Sequence, residues 1–459
     1  MRRTAVVLAP VTFLAGAIFA CQDDPDGFNG PTFELDGGTP GYDASTAPDA
    51  PPDAPPPPPA VTVKVVDEHG PQADVRVVFH DANGEVLETK LTGADGKATS
   101  VGALPAMASA LIVRDGGHEI VTWTGLEDGD ELAVHAMPEI GEASEDPSIG
   151  SFAVTAPPTE SSWTATASDC SGEGSQINLY RNCAPAPTTA VRVTSSSNPP
   201  EFAFAKGITV PTDGGVVPVS TGEWTEAMTV DVNATNSPDD HFSAAYFIEI
   251  ADGYPYTAIG GNEGSGPPYY VGPGFADALQ ASFVIRHNDF EERHKAQLIA
   301  KRVPPTETID IDLAQVLPKI EEASVGGESV RRPEFSWTGN TANTDGGIVR
   351  IRFGGIDQGE YHWTLVVPPG SSTVKAPALP TEAASFLPAE DAIFGETYAT
   401  PHIVFVEADF LSSYKEFRQQ QGSLVTMNRL NDFTRSLTPP PMPVNGTVRA
   451  TAWNELQKF

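Results

Sequence analysis

The chain has 459 residues, of which 27 are Lys or Arg and 61 are Asp or Glu, so its formal net charge is −34. Only 19% of the residues are charged, 40% are hydrophobic and 8% are aromatic, which argues against a chain that is disordered throughout. The acidic balance argues against nucleic-acid binding, because phosphates are bound by clustered Lys and Arg. The length predicts about three domains at roughly 150 residues each. The 43 Pro and 42 Gly favour short strands and turns over helices.

The first 20 residues are predicted to be an export signal. Arg2 and Arg3 form a positive beginning, and residues 5–20 carry no charge. This apolar stretch has the length of a signal-peptide core and is short for a bilayer-spanning helix, which needs about 20 residues.

The stretch ends in Ile18-Phe19-Ala20-Cys21, which resembles the lipobox of bacterial lipoproteins, although that family usually has a small residue where Phe19 stands. The resemblance implies that Cys21 becomes the N-terminus and carries three acyl chains, which anchor a protein stably. Gln22 follows the cysteine, and by resemblance this permits delivery to the outer membrane of a Gram-negative bacterium. The alternative is an ordinary signal peptide in which Cys21 is incidental.

Residues 21–60 are predicted to be a disordered tether. From residue 22 onward the segment holds 11 prolines and eight acids, with no Lys or Arg. It has too few apolar residues to form a core. The five consecutive prolines at 55–59 favour a stiff polyproline II rod. A lipid anchor, a stalk and folded domains together predict that the folded part is displayed away from a membrane.

Residues 61–138 are predicted to form a small β-sandwich. Strand patterns recur every 8 to 12 residues with polar turns between them, which is typical of a sandwich. Asp95-Gly96 marks a tight hairpin turn, because Gly readily adopts a positive φ. The predicted strands are 61–66, 75–79, 85–91, 110–114, 119–124 and 131–135.

The same segment carries a spaced set of glycine, valine and turn residues: Gly70, Val75, Val77, Asp81, Gly84, Thr92, Asp95 and Gly96. With these positions it resembles the carboxypeptidase regulatory-like (transthyretin-type) domain. That resemblance implies an accessory module of bacterial surface proteins with no catalytic residues to carry over.

Residues 145–318 are predicted to be one large antiparallel sandwich or two small immunoglobulin-like ones, with no internal boundary placed. Cys170 and Cys183 lie here, 13 positions apart in polar sequence. An exported protein meets an oxidising compartment, so a disulfide between them is predicted. The alternatives are two free thiols or a nucleophilic cysteine with a histidine partner.

Residues 287–294 hold two His and three carboxylates, but their spacing fits no zinc motif. We therefore predict a hairpin in which Arg286 lies opposite Glu291 as an ion pair, and no metal site.

A Tyr-, Gly- and Pro-rich stretch between residues 253 and 274 is the candidate ligand-binding loop. Tyrosine gives a large contact area at low entropic cost, which is why tyrosine-rich loops are common on binding surfaces. The alternative is an aromatic loop packed on its own domain. The candidate residues are Tyr254, Tyr256, Tyr269 and Tyr270.

Residues 319–459 are predicted to form a third β-domain. The stretch Pro333-Glu334-Phe335-Ser336-Trp337, with later strands at 347–353 and 361–368, resembles bacterial fibronectin type III-like modules. That resemblance implies a fold and no specific function. Trp337 and Trp363 are predicted core residues, and residues after Leu411 are predicted to wrap around the domain or fray.

The fold class predicted from the sequence is therefore all-β, with tandem sandwiches after a disordered linker. The predicted function is a non-enzymatic surface lipoprotein, held to the membrane by its lipid, that binds a protein or a glycan. No catalytic residue, metal ligand or cofactor is predicted. The alternatives are an exported hydrolase with an unrecognised pair of carboxylates and a structural component of an envelope complex.

Overall fold

The computed structural model describes residues 60–67, 70–114, 117–135, 148–159, 162–168, 170–173, 175–180, 187–237, 241–257, 259–260, 268–287, 295–353, 360–389, 401–424 and 442–453. The signal segment with Cys21 and the tether up to residue 59 lie outside these ranges, as does Cys183. Sandwiches of β-sheets make up the described part, so the all-β, multi-sandwich prediction is confirmed. In this part of the chain, none of the helices combines the length and apolarity needed to cross a bilayer.

The N-terminal sandwich is built from alternating sequences whose apolar side chains face one another across two sheets. One sheet has the order β2-β1-β5, with β8 parallel to β1 on its other side, and the facing sheet includes the run β7-β6-β3-β4. Six predicted strands appear here as β1, β3, β4, β6, β7 and β8. The strands are β1 Thr62–Asp67, β2 Gly70–Pro71, β3 Arg76–His80, β4 Val86–Leu91, β5 Lys97–Thr99, β6 Met107–Arg114, β7 Gly117–Thr124 and β8 Glu131–His135.

The predicted turns of this sandwich have the expected geometry. Gly84 and Gly96 adopt φ of 76° and 71°. The Asp81 carboxylate accepts the backbone N–H groups of Asn83 and Glu85, both at 2.8 Å, which closes the turn between β3 and β4. These bonds, that of Glu85 first, hold the pKa of Asp81 below its usual value.

The described residues of the central region form two sandwiches, each around a main hydrophobic cluster of its own. The first pairs the sheets β11-β10-β13-β14-β16 and β12-β9-β15 around Phe152, Ile177 and Val191. Its strands are β9 Gly150–Thr155, β10 Trp163–Ala167, β11 Cys170–Glu173, β12 Gln176–Leu179, β13 Thr188–Ser195, β14 Glu201–Thr209, β15 Val216–Ser220 and β16 Thr225–Glu226.

The second central sandwich packs the sheet β20-β21-β17-β24 against the run β19-β18-β22-β23, around Val230, Phe283 and Ile309. Its strands are β17 Met228–Thr235, β18 His241–Ala251, β19 Tyr254–Thr257, β20 Ile259–Gly260, β21 Tyr269–Val271, β22 Ala278–His287, β23 Lys295–Val303 and β24 Thr308–Asp312, followed by a 3₁₀ turn at Leu313–Gln315.

The C-terminal part contains a small sheet of order β25-β26-β29 and four longer strands. Trp337 and Trp363 are buried in its core, as predicted. The elements are β25 Glu322–Gly326, β26 Glu334–Thr338, β27 Gly346–Phe353, β28 Glu360–Val367, β29 Thr373–Lys375, a 3₁₀ segment Thr381–Phe386, β30 His402–Ala408, helix α1 Tyr414–Leu424 and β31 Thr447–Trp453.

One twelve-stranded sheet runs through three of these sandwiches. Its order is β19-β18-β22-β23-β31-β30-β27-β28-β7-β6-β3-β4. The two joints are β31 against β23, antiparallel, and β28 against β7, parallel. The C-terminal strands therefore join the N-terminal sandwich to the second central one, and a single hydrophobic core includes Val77, Leu298 and Val404 from three parts of the chain.

Two sequence predictions need correction. In the β22–β23 hairpin, Arg286 lies opposite Ala296 and β23 begins at Lys295, so the predicted strand register, with Arg286 opposite Glu291, is wrong. Residues 288–294, with Glu291, lie outside the described residues. The segment after Leu411, predicted to wrap around the domain or fray, contains α1 and β31, and β31 occupies an interior position of the large sheet, so fraying is wrong for these two elements.

Candidate binding surface

The predicted tyrosine loop divides into buried and partly exposed residues. Tyr256 is fully buried and donates its hydroxyl to the carbonyl of Ala190 at 2.8 Å. Tyr269 is buried and stacks on Phe247 with ring centroids 4.8 Å apart. Burial raises the pKa of both hydroxyl groups. Tyr269 therefore fits the alternative, an aromatic residue packed on its own domain, whereas Tyr256 packs against the neighbouring first central sandwich through Ala190.

The other two candidate tyrosines are more accessible. Tyr254 and Tyr270 are half-buried, in β19 and β21. Residues 261–267, the centre of the predicted loop, lie outside the described residues. Ligand binding by this loop stays a prediction. Two of its four candidate residues, Tyr256 and Tyr269, are buried in packing contacts.

Beside Tyr256 lies a buried ion pair that joins the two central sandwiches. The Arg192 guanidinium, on β13, donates to the Glu249 carboxylate, on β18, and both side chains are almost completely inaccessible. The backbone N–H of Gly272 donates to Glu249 at 3.1 Å. The guanidinium carbon also lies 5.7 Å from the ring of Phe275. Burial raises the pKa of Glu249, and Arg192 opposes that shift. The pair therefore holds the two sandwiches together and is closed to solvent.

A histidine and a serine are also hydrogen-bonded, in the N-terminal sandwich. His80 Nε2 lies 3.0 Å from Ser109 Oγ, which lies 2.9 Å from Thr122 Oγ1. Trp363 Nε1 donates to the same threonine at 3.0 Å. All four side chains have no exposed surface. This arrangement connects β3, β6, β7 and β28 and is inaccessible to a substrate, so we assign it to stability.

The burial of His80 gives a pH-dependent stability. Burial first, and then the charge of Arg332, lower the pKa of His80 from 6.5 to about 4, while Asp81 acts in the opposite direction. The unfolded chain therefore takes up the proton first, so stability present above pH 6.5 is lost as the pH falls towards 4. Over this pH range the free energy of unfolding falls by about 3 kcal/mol on account of His80. We expect the thermal midpoint to fall between pH 7 and pH 4.5.

The matched variant for this prediction is His80→Gln, which removes the titrating group. Its thermal midpoint should change less over the same pH range than that of the unsubstituted chain, because the contribution of His80 is gone and only the other titrating groups, among them His118, remain. Equal slopes for the two proteins would contradict the assignment to His80.

Strand β4 is the candidate binding surface. It ends the twelve-stranded sheet, and within the described residues no strand pairs with its outer edge. A free edge presents unpaired N–H and C=O groups to any extended backbone. On its inner side β4 pairs with β3, with an irregular register where His80 lies opposite Val86 and Phe79 lies opposite Glu88. This bulge leaves Leu87 without a facing residue on β3.

Apolar side chains are concentrated around this edge. Val101 is tied to the strand by its backbone N–H, which donates to Glu88 Oε2 at 2.9 Å. Lys90 lies 3.2 Å from Glu88 and donates to the carbonyl of Thr99 at 2.6 Å. The exposed large hydrophobic residues between positions 86 and 104 are Val86 (38% exposed), Leu87 (47%), Leu91 (53%), Val101 (67%) and Leu104 (40%).

The sequence predicted this strand without identifying its role. Two signals for an edge were present: the charges of Glu88 and Lys90 within a short strand, and apolar residues on both sides of them. Neither signal tells which strand of a sheet lies outermost, because that depends on pairings made by distant parts of the chain.

Metal-ligating residues are not grouped in the described part of the chain, where no cluster of three or more His, Cys, Asp or Glu is placed to hold an ion. Cys170 is buried in the core of the first central sandwich. Its predicted partner Cys183 lies outside the described ranges, so the disulfide stays a prediction.

Neither a protein-family model nor a curated protein matches the sequence. Among solved structures, the Bacillus anthracis TIE protein aligns with 56% of this chain at 8% identity and a TM-score of 0.13. This chain spans 50% of the length of that structure. The FN1–FN3 domains of chicken CNTN1 align with 53% of this chain, covering 83% of their own length, at 10% identity and a TM-score of 0.14.

E. coli alpha-2-macroglobulin aligns with 73% of this chain and 26% of its own length, at 11% identity and a TM-score of 0.10. Similarity at this level carries no argument about function.

Proposed function

We propose that the chain is an exported, lipid-anchored surface protein whose folded part binds a protein partner through β4. The observation that carries this proposal is the outer edge of β4, which no strand of the described residues covers and which is bordered by the exposed side chains of Leu87, Leu91 and Val101. Protein partners commonly add a strand to such an edge, since backbone hydrogen bonds supply affinity and side-chain contacts supply specificity. The edge favours a protein over a glycan because its unpaired groups match another peptide backbone.

The anchor and the tether complete the proposal. The lipobox-like end of the signal segment at Cys21, followed by Gln22, supports three acyl chains and delivery to the outer membrane of a Gram-negative bacterium. The acidic, Pro-rich residues 22–60 support a stalk that keeps the sandwiches off an anionic surface. The resemblances to transthyretin-type and fibronectin type III-like modules support a non-enzymatic surface role, and the exported location supports a Cys170–Cys183 disulfide.

Cys21→Ser tests the anchor. We expect the substituted chain to leave the detergent-rich phase on phase separation and to change its electrophoretic mobility, because the acyl chains are attached through the sulfur of Cys21. Ser148→Ala, which leaves Cys21 intact, is the matched control and should behave like the unsubstituted chain. Membrane association and mobility that are the same with and without Cys21 would contradict the lipid anchor.

A further inference from the structure

The sequence of β4 is complementary to itself in one antiparallel register. If two copies of the strand run antiparallel with Thr89 on the two-fold axis, then Glu88 lies opposite Lys90 and Leu87 lies opposite Leu91. Symmetry makes each of these contacts twice, because a two-fold interface uses the same patch on both copies. Opposite charges and apolar pairs at facing positions are the pairs that stabilise neighbouring strands.

The neighbouring registers are unfavourable. Sliding one copy by two residues in one direction places Glu88 opposite Glu88, and sliding it in the other places Lys90 opposite Lys90. Like charges at directly facing positions destabilise a strand pair. A slip by one residue is excluded as well, because it would mismatch the hydrogen-bonding positions and reverse the faces of the side chains. The charges therefore specify the register with Thr89 at its centre.

We propose that the partner of β4 is β4 of a second copy of this chain, so that two copies join their twelve-stranded sheets edge to edge in this register. The exposed leucines of both copies then cover one another, and the row of unpaired backbone groups is satisfied. The contact is short, because β4 has six residues. Such a short contact forms to a useful extent only where copies are concentrated in one membrane plane. This step rests on the proposed anchor.

Cross-linking in the full-length chain tests the pairing. Facing residues of two antiparallel strands have Cα atoms about 4.5–5.5 Å apart, which is within the range of a disulfide. Thr89→Cys in the anchored chain should therefore give a disulfide-linked dimer under mild oxidation in envelope vesicles. Val216→Cys, at a position 62% exposed in the first central sandwich, is the matched control and should not.

Charge variants distinguish a cross-link that forms through this strand pairing from one that forms when copies collide at random. Adding Lys90→Glu to Thr89→Cys places Glu opposite Glu88 and should lower the cross-linked fraction by about fivefold or more. Combining Glu88→Lys with Lys90→Glu exchanges the two charges, preserves their complementarity and should restore the dimer. Restoration also excludes misfolding as the cause of the first loss.

The pairing is overturned if Thr89→Cys gives no more dimer than Val216→Cys, if Lys90→Glu leaves the dimer unchanged, or if Thr89→Cys links to a protein of another mass. The last result would leave the proposed binding edge standing with a different partner. Loss of the anchor in Cys21→Ser is a separate readout, so failure of the anchor and failure of the pairing are distinguishable.

Discussion

Replacing Arg418 by alanine will lower the local stability of the N-terminal sandwich by about 3–5 kcal/mol, because it leaves the buried Asp130 carboxylate with only the more distant, partly exposed Lys415 as a cationic partner. Arg418 lies on α1 and donates to Asp130 at 2.8 Å, and neither side chain has exposed surface. It also donates to the carbonyl of Gly125 at 2.6 Å. Its guanidinium carbon lies 4.5 Å from the ring centre of Tyr414, whose hydroxyl donates to the carbonyl of Thr124 at 3.0 Å.

The measurement is hydrogen exchange of the amides of β1 and β8, which reports the free energy of local opening. Lys415→Ala is the matched control. Lys415 also faces Asp130, at 3.7 Å, but its side chain is 31% exposed, so its loss should cost less than about 1 kcal/mol. Equal effects of the two substitutions would contradict the claim that the Arg418–Asp130 pair fastens α1 to the N-terminal sandwich.

The second large effect is expected at the joint between the two central sandwiches. Arg192→Met leaves the Glu249 carboxylate buried without its cation and should lower the local stability of β13 and β18 by about 3–5 kcal/mol. Adding Glu249→Leu removes the stranded charge, so the double variant should be more stable than Arg192→Met alone. It will not return fully to the original stability, because the N–H of Gly272 then loses its acceptor.

A surface pair across the same joint provides the control. Lys206 lies 2.8 Å from Asp277, with side chains 28% and 55% exposed. Lys206→Ala should change the exchange of the same amides by less than about 1 kcal/mol. A double variant no more stable than Arg192→Met would show that the loss comes from packing and not from the unpaired carboxylate.

Local sequence patterns predict the strands of the N-terminal sandwich well. Alternating apolar residues and the turns at Gly84 and Gly96 depend on neighbours in the chain, so β1, β3, β4, β6, β7 and β8 appear where they are expected. Trp337 and Trp363, which lie in strand-like sequence patterns, are buried as expected.

Long-range pairing explains what the sequence does not predict. The parallel contact of β28 with β7 places Trp363 opposite Ile120, residues far apart in the chain. The sequence held one indication: Ile120 and Val121 are consecutive apolar residues, which is typical of a strand covered on both faces, and both are buried in the structure. Similarly, the burial of Tyr256 depends on Ala190 from another sandwich, so no local pattern distinguishes it from an exposed loop tyrosine.

Helix α1 was missed although its start is encoded. Ser413 Oγ accepts the N–H of Glu416 at 3.3 Å, and the Glu416 carboxylate accepts the N–H of Ser412 at 2.7 Å. This is the Ser-x-x-Glu pattern of a helix beginning. Phe417 and Arg418 are buried on the same helix, and their contacts with the N-terminal part could not be read from the pattern.

The most direct test of the binding edge is hydrogen exchange of the β4 amides in the full-length chain, held by its own anchor in envelope vesicles. The comparison is with the Lys90→Glu variant under the same conditions. We expect slower exchange across Val86–Leu91 in the unsubstituted chain than in the variant, because an added strand protects the outer amides only in the unsubstituted chain. Equally fast exchange of these amides in both proteins would contradict the claim that β4 is an occupied binding surface.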